Sequence, residues 1–169
     1  MLKCVGYHGT ALSNVENIKA KGYNVSHKKS WFGSGVYFFS SFAGITNGEK
    51  EAKHWMVFVN KENSWAIFRA QIETDKFIDL LQNEDDRIAY EEIRKELINR
   101  HLESGRDAGE FKDRMVFIEM EKVGVDVVRA LVDPNKKSYL SYVVSRPQVQ
   151  VCVKNLDAIK KNELIKLRH

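Results

Sequence analysis

The chain has 169 residues, 43% of them hydrophobic and 30% charged, with a formal net charge of +4. That length fits one domain with a real core, and the composition excludes a disordered tail and a bundle of membrane-spanning helices. With only 2 prolines and 10 glycines no stretch reads as a linker, so a single domain over 1–169 is expected.

Leu2 to Tyr7 reads as a short apolar strand running into His8-Gly9-Thr10. Ser13 and Glu16 have the spacing of a capping box, in which a hydroxyl and a carboxylate close a first helical turn reciprocally. The helix it would open turns Val15 and Ile18 inward and stops at Gly22. A polar, basic loop over 23–34 contains Ser26-His27-Lys28-Lys29-Ser30. Gly35 to Phe39 is rich in strand-forming residues. From about Glu49 a helix is expected with Ala52, Trp55, Met56 and Val59 on one side.

Trp65 to Ile72 alternates as a strand. Asn83 to about Ser104 reads as a long charged helix with Ile88, Ile93, Leu97 and Leu102 toward the core. A short helix over Arg114–Lys122 follows. Strands are expected at Val125–Val132, Tyr139–Val144 and Val149–Val153, with a turn at Asp133-Pro134-Asn135. Ile159 to His169 reads as a basic terminal helix or tail. The order of elements predicts an α+β fold with a mixed sheet.

Charge is uneven. Residues 1–47 carry five lysines against Glu16, the last sixteen residues are basic, and the middle is net acidic. Solvated faces explain such lysines, and so does contact with a polyanion or the phosphates of a dinucleotide. Cys4 and Cys152 lack metal or redox spacing and read as buried thiols. No run approaches the ~18 apolar residues of a membrane span. The N-terminus, MLKCVGYHGT, lacks the apolar core of a signal peptide, so the cytoplasm is the expected compartment. No phosphate loop, paired zinc ligands or nucleophile elbow is present. Glu51, His54 and His101 do not form a metal set, and a solvated helix face accounts for the first two.

Three segments stand out together: Tyr7-His8-Gly9-Thr10, then Trp31-Phe32-Gly33-Ser34-Gly35-Val36-Tyr37-Phe38-Phe39, then Gln148-Val149-Gln150-Val151-Cys152-Val153-Lys154-Asn155. In this order they resemble the ADP-ribosyltransferase superfamily, on the diphtheria-toxin and poly-ADP-ribose-polymerase side, which bears a His–Tyr–Glu triad on three strands. The likeness covers residues 5–155. It implies a mainly antiparallel, split sheet flanked by helices, NAD⁺ as substrate and no metal.

By this resemblance His8 meets a ribose hydroxyl, and the backbone of Gly9, beside Thr10, holds the nicotinamide carboxamide. Tyr37 stacks on the nicotinamide while Gly33 and Gly35 bend the chain beside it. Ser40 or Ser41 assists at the carboxamide, and Phe42 or Trp55 is a candidate second aromatic, Trp55 reading also as core.

The third position departs from the family. Its Glu falls at Gln150, with Gln148 two residues earlier on the same face. Glutamine bonds a hydroxyl but carries no charge and is no general base. That favours mono-transfer over polymer formation and raises Glu119 or Asp126 as sources of the missing charge. The Arg–Ser–Glu variant of the superfamily is disfavoured, since the first strand has no arginine and Glu119-Met120-Glu121 comes too early.

The resemblance therefore implies a mono-ADP-ribosyltransferase acting on a macromolecule, nucleic acid slightly before protein. It implies a bacterial toxin-type role, in a toxin–antitoxin or anti-phage system, with an antitoxin as possible partner. An NAD⁺ glycohydrolase and an inactive binding module on the same fold are the alternatives.

Overall fold

The structure, a computed structural model, describes residues 1–26, 30–133 and 147–168. Lys28 and Lys29 of the basic loop, the strand expected at 139–144 and most of the turn before it lie outside these residues. The described elements are strands β1 (Leu2–Ala11), β2 (Val36–Ser40), β3 (Trp65–Thr74), β4 (Phe77–Asp79), β5 (Val127–Val132), β6 (Gln148–Val153) and β7 (Ile159–Arg168), with helices α1 (Val15–Lys21), α2 (Gly48–His54), α3 (Glu84–Glu103) and α4 (Arg114–Met120). The seven strands form one sheet in the order β4-β5-β6-β2-β1-β3-β7. Only β4 and β5 pair in parallel, so the fold is α+β with a mainly antiparallel sheet.

The centre of the sheet positions the site. β1 pairs with β3 along its whole length, from Leu2↔Thr74 to Ala11↔Trp65. Against β2 it pairs only at Gly6↔Ser40 and Tyr7↔Phe39. Beyond Tyr7 the two strands part, while β2 stays paired with β6 from Val36↔Val153 to Ser40↔Val149.

Period-2 alternation sends the strand residues to two covered faces. One face packs Leu2, Phe38, Phe68, Ile72, Val127, Val151 and Val153 with Val15 and Ile18 of α1 and with Tyr23. The other is covered in two places. Ala52 of α2 and Met56 just beyond it lie with Phe39, Trp65 and Ile67, and α4 lies with Phe32, Val128, Ala130 and Cys152. Beside the first face, Asp79 and Arg129 form a buried pair, Arg129 Nε donating to Asp79 Oδ1 at 2.9 Å.

Four expectations are corrected. The capping box does not form: Leu12–Asn14 make a 3₁₀ turn, α1 begins at Val15 with no side-chain cap, and Glu16 pairs instead with Lys19 at 2.9 Å. Ile88 and Leu102 are 52% and 48% exposed; each stands five residues, about 140° of helical rotation, from the Ile93–Leu97 face that packs inward.

Past His54 the helix widens into one π-helical turn over Trp55–Val59, closed by the Asn60 amide on the Trp55 carbonyl at 2.9 Å. The wider turn shifts the facing positions. Met56 is buried, whereas Trp55 is 38% and Val59 49% exposed. Finally, the C-terminal segment is neither helix nor tail but the edge strand β7, antiparallel to β3.

Among the described residues no helix is long and apolar enough to cross a membrane.

Candidate active site

His8 sits where β1 leaves β2. Its Nδ1 lies 2.8 Å from the Tyr37 carbonyl oxygen, and its ring packs against Tyr23 and Phe38 at centroid distances of 5.0 and 5.5 Å. A carbonyl oxygen only accepts, so Nδ1 carries a hydrogen. Burial pushes the imidazole below its ordinary 6.5, against the opposing effect of that hydrogen bond. The ring is therefore neutral near pH 7, and its Nε2 is a lone-pair acceptor.

Tyr37 points to the other side of β2. Its hydroxyl donates to the Gly33 carbonyl at 2.8 Å and accepts from the Phe32 amide at 3.0 Å. Its ring stacks on Phe32, centroids 6.1 Å apart and planes 10° apart. Burial, with smaller contributions from Cys152, pushes the phenol well above its ordinary value, so it stays neutral. The Trp31–Gly35 loop that holds this hydroxyl is itself fastened by Lys154, whose Nζ donates to the Phe32 and Ser34 carbonyls at 2.6 and 3.1 Å and pairs with Glu121 at 2.7 Å.

Gln150 and Gln148 project from β6 on the same side as Tyr37, beside Phe39 and beneath α2. Cys152, opposite Tyr37 in the β2–β6 register, continues that row. Both glutamines are buried, 4% exposed at Gln148 and 5% at Gln150. Gln148 Nε2 donates to Glu51 Oε2 at 2.8 Å, and Gln150 Nε2 makes a long bond of 3.5 Å to Gln148 Oε1.

The acid beside the third position is thus Glu51 of α2. Glu119 instead pairs with Lys122, and Asp126 accepts from Thr74 and Asn155.

The expected site residues are brought together in part. His8, Tyr37 and Gln150 stand on the adjacent strands β1, β2 and β6. Tyr37 and Gln150 share a face, and His8 joins them through the Tyr37 backbone rather than ring to ring.

The small residues have tasks within the fold. A Cβ on Gly9 would come within 2.6 Å of Met56 Cγ and 2.8 Å of the Ala52 oxygen, so Gly9 is where α2 rests on β1. Gly35 has φ +158°, and a Cβ there would meet Cys152 Sγ at 2.4 Å and the Val153 oxygen at 2.9 Å, which lets β2 lie against β6.

The Ser40 hydroxyl donates to the Val5 carbonyl at 2.8 Å, and Ser41 Oγ accepts from the Gly48 amide at 3.0 Å. Thr10 Oγ1 accepts from Asn14 at 3.2 Å. Of the two candidate second aromatics, Phe42 is half-buried in a small loop bridged to Thr46, and Trp55 stands at the surface with its ring 6.1 Å from Phe39.

Glu51, expected on a solvated helix face, is instead half-buried against Gln148, and sequence reasoning did not assign roles to Lys154 or Glu121. Each meets its partner only in the folded chain, Glu51 and Gln148 being 97 residues apart. Among the described residues no group of three or more His, Cys, Asp or Glu is placed to hold a metal ion. Comparison of the chain with known protein families and with characterised proteins finds no match.

Proposed function

We propose that this chain is a mono-ADP-ribosyltransferase that takes ADP-ribose from NAD⁺ and attaches it to a macromolecule. The observation that carries the proposal is the placing of His8, Tyr37 and Gln150 on three neighbouring strands, at the point where β1 and β2 separate. It joins the order of motifs in the sequence to neighbouring strands, with Tyr37 and Gln150 on one face of the sheet and the His8 ring on the other.

The leaving nicotinamide is already cationic, so the site must orient the glycosidic bond and stabilise an oxocarbenium-like sugar rather than supply a strong acid. An aromatic face at Tyr37 suits the cationic ring, with the backbone of Gly9 across the parted strands. Nε2 of His8, a lone-pair acceptor, receives a ribose hydroxyl. Gln150 holds a second hydroxyl but cannot activate an incoming sugar as a base, which favours one transfer over chain growth. Ser40, Ser41 and Thr10 each make one internal bond and keep further hydrogen-bonding capacity, so the backbone of Gly9 holds the carboxamide with Ser40 or Ser41 assisting.

A nucleic acid is the favoured acceptor, because the net positive charge of the sequence lies at its two ends while the middle is net acidic; a protein side chain is the other acceptor class. A toxin-type role, with an antitoxin partner, belongs to the same proposal and rests on the resemblance alone.

The test is transfer of label from the adenylate half of NAD⁺ into a cell extract, wild type beside Tyr37→Ala, with protease and nuclease treatments in parallel. Label that depends on Tyr37 supports the transferase, and the treatment that releases it names the acceptor. NAD⁺ loss without label points to a glycohydrolase. Neither signal overturns the enzyme and leaves a binding module.

A further inference from the structure

A buried glutamine amide presents either an acceptor oxygen or a donor nitrogen to whatever lies beside it, and the difference is one flip about the last side-chain bond. On β6 that choice is set from outside the strand. Glu51 carries a carboxylate, which only accepts. Gln148 must therefore turn its NH₂ toward Glu51, at 2.8 Å. Its carbonyl oxygen then faces Gln150, which answers with its own NH₂ at 3.5 Å. Gln150 is left with its oxygen directed away from this chain of amides. Both glutamines are buried, so neither can settle its orientation by turning to bulk water.

We infer that Glu51 is a positioning residue: through Gln148 it locks Gln150 with its carbonyl oxygen outward and polarised, so that a neutral side chain presents the acceptor character a carboxylate would have. This rests on the proposed NAD⁺ chemistry, where an acceptor oxygen is what a ribose hydroxyl and a cationic sugar require. It also accounts for a charge-assisted bond placed at the far end of a buried amide pair rather than at the pair's centre. The device has a polarity. A donor at position 51 would reverse both amides and present an NH₂ to the sugar.

The experiment has two arms that fail separately. In the first, side-chain amide ¹H–¹⁵N resonances of Gln148 and Gln150 are compared between wild type and Glu51→Lys, which replaces the acceptor by a donor. Both pairs are expected to shift while the backbone amides of Val149 and Val151 stay in place. Shifts confined to Gln148, or absent, overturn the chain of orientation whatever the enzyme does.

In the second arm, NAD⁺ turnover is measured for Glu51→Lys, Gln148→Ala, the double variant and Glu51→Asp. Each single change is expected to lower kcat about 10-fold with KM little altered. The double variant should be no worse than either single one, because both break the same chain, and Glu51→Asp should recover part of the loss. Additive losses, or a loss wholly in KM, overturn the positioning role. If wild type turns over no NAD⁺ at all, the functional proposal falls, and the first arm still decides how Gln150 is held.

Discussion

Lys154, at the end of β6, donates to the main-chain oxygen of Phe32, 122 residues earlier, at 2.6 Å. The same ammonium group reaches the Ser34 carbonyl and the Glu121 carboxylate. One side chain thus ties the Trp31–Gly35 loop, the last strand of the motif set and the end of α4 together, and the Tyr37 hydroxyl is anchored on that loop. Lys154→Met removes the donor and leaves the Glu121 carboxylate half-buried without its cation. The expected cost is about 2 kcal/mol, read by denaturant unfolding, with faster proteolysis near Trp31. Lys154→Arg should recover most of it. Unchanged stability in Lys154→Met would show that the loop holds its shape alone.

Tyr37 separates its ring from its hydroxyl. The hydroxyl is spent on Phe32 and Gly33, so Tyr37→Phe should cost about 1 kcal/mol of stability yet keep most NAD⁺ turnover. Tyr37→Ala should abolish turnover with the fold intact by circular dichroism. Equal losses from the two variants would place the hydroxyl, rather than the aromatic face, in the chemistry.

His8 makes stability depend on pH with a definite sign. Burial holds its folded-state value below the ordinary 6.5, so between those two values the unfolded chain binds a proton that the native chain does not. The contribution is whole above pH 6.5 and is lost as pH falls toward the folded value, with a slope of at most about 1.4 kcal/mol per pH unit. His8→Asn keeps an N–H that can donate to Tyr37 but cannot titrate. Melting temperatures of the two proteins across the mildly acidic range should converge as pH falls, and parallel curves would refute the neutral imidazole.

Gly9→Ala tests what this glycine is for. Its new methyl would press on Met56 and on the Ala52 carbonyl, and overpacking of this kind costs about 1–3 kcal/mol. The double change Gly9→Ala with Met56→Ala should relieve only part of this, because the helix carbonyl stays. A Gly9→Ala protein of full stability that no longer uses NAD⁺ would instead make ligand approach the sole reason for glycine here.

Much of the architecture is legible along the chain because local patterns and burial agree. Val36 to Phe39 and Val149 to Val153 are strands wherever they pack, since their β-branched and aromatic residues suit a sheet covered on both faces. The edge strand β7 escapes for a physical reason. Its register against β3 shifts twice, between Ile67 and Phe68 and between Gln71 and Ile72, so its apolar residues lose the strict alternation that marks a strand. Trp55 is misjudged because a π-helical turn breaks the 3.6-residue period on which its inward facing depended.

The motif residues His8, Tyr37 and Gln150 are legible by type and order, and the structure sets their strands side by side. Glu51 is invisible at that level, since a glutamate on a charged helix reads as solvated until the helix is laid across β6. Lys154 and its partner carbonyls at Phe32 and Ser34 lie inside the motif segments, but the bonds between them exist only once β6 is laid beside the Trp31–Gly35 loop.

The short pairing of β1 with β2 also divides the sheet as a cooperative unit. Gly6 and Tyr7 are the only β1 residues in register with β2, and the Ser40 hydroxyl on Val5 and the His8 imidazole on Tyr37 stand at either end of that contact. Protection against amide hydrogen exchange should therefore fall into two blocks, β1-β3-β7 and β2-β6-β5, that open with different free energies. Binding a ligand across the join would merge them, so the arrival of substrate should be visible as the two blocks beginning to exchange as one.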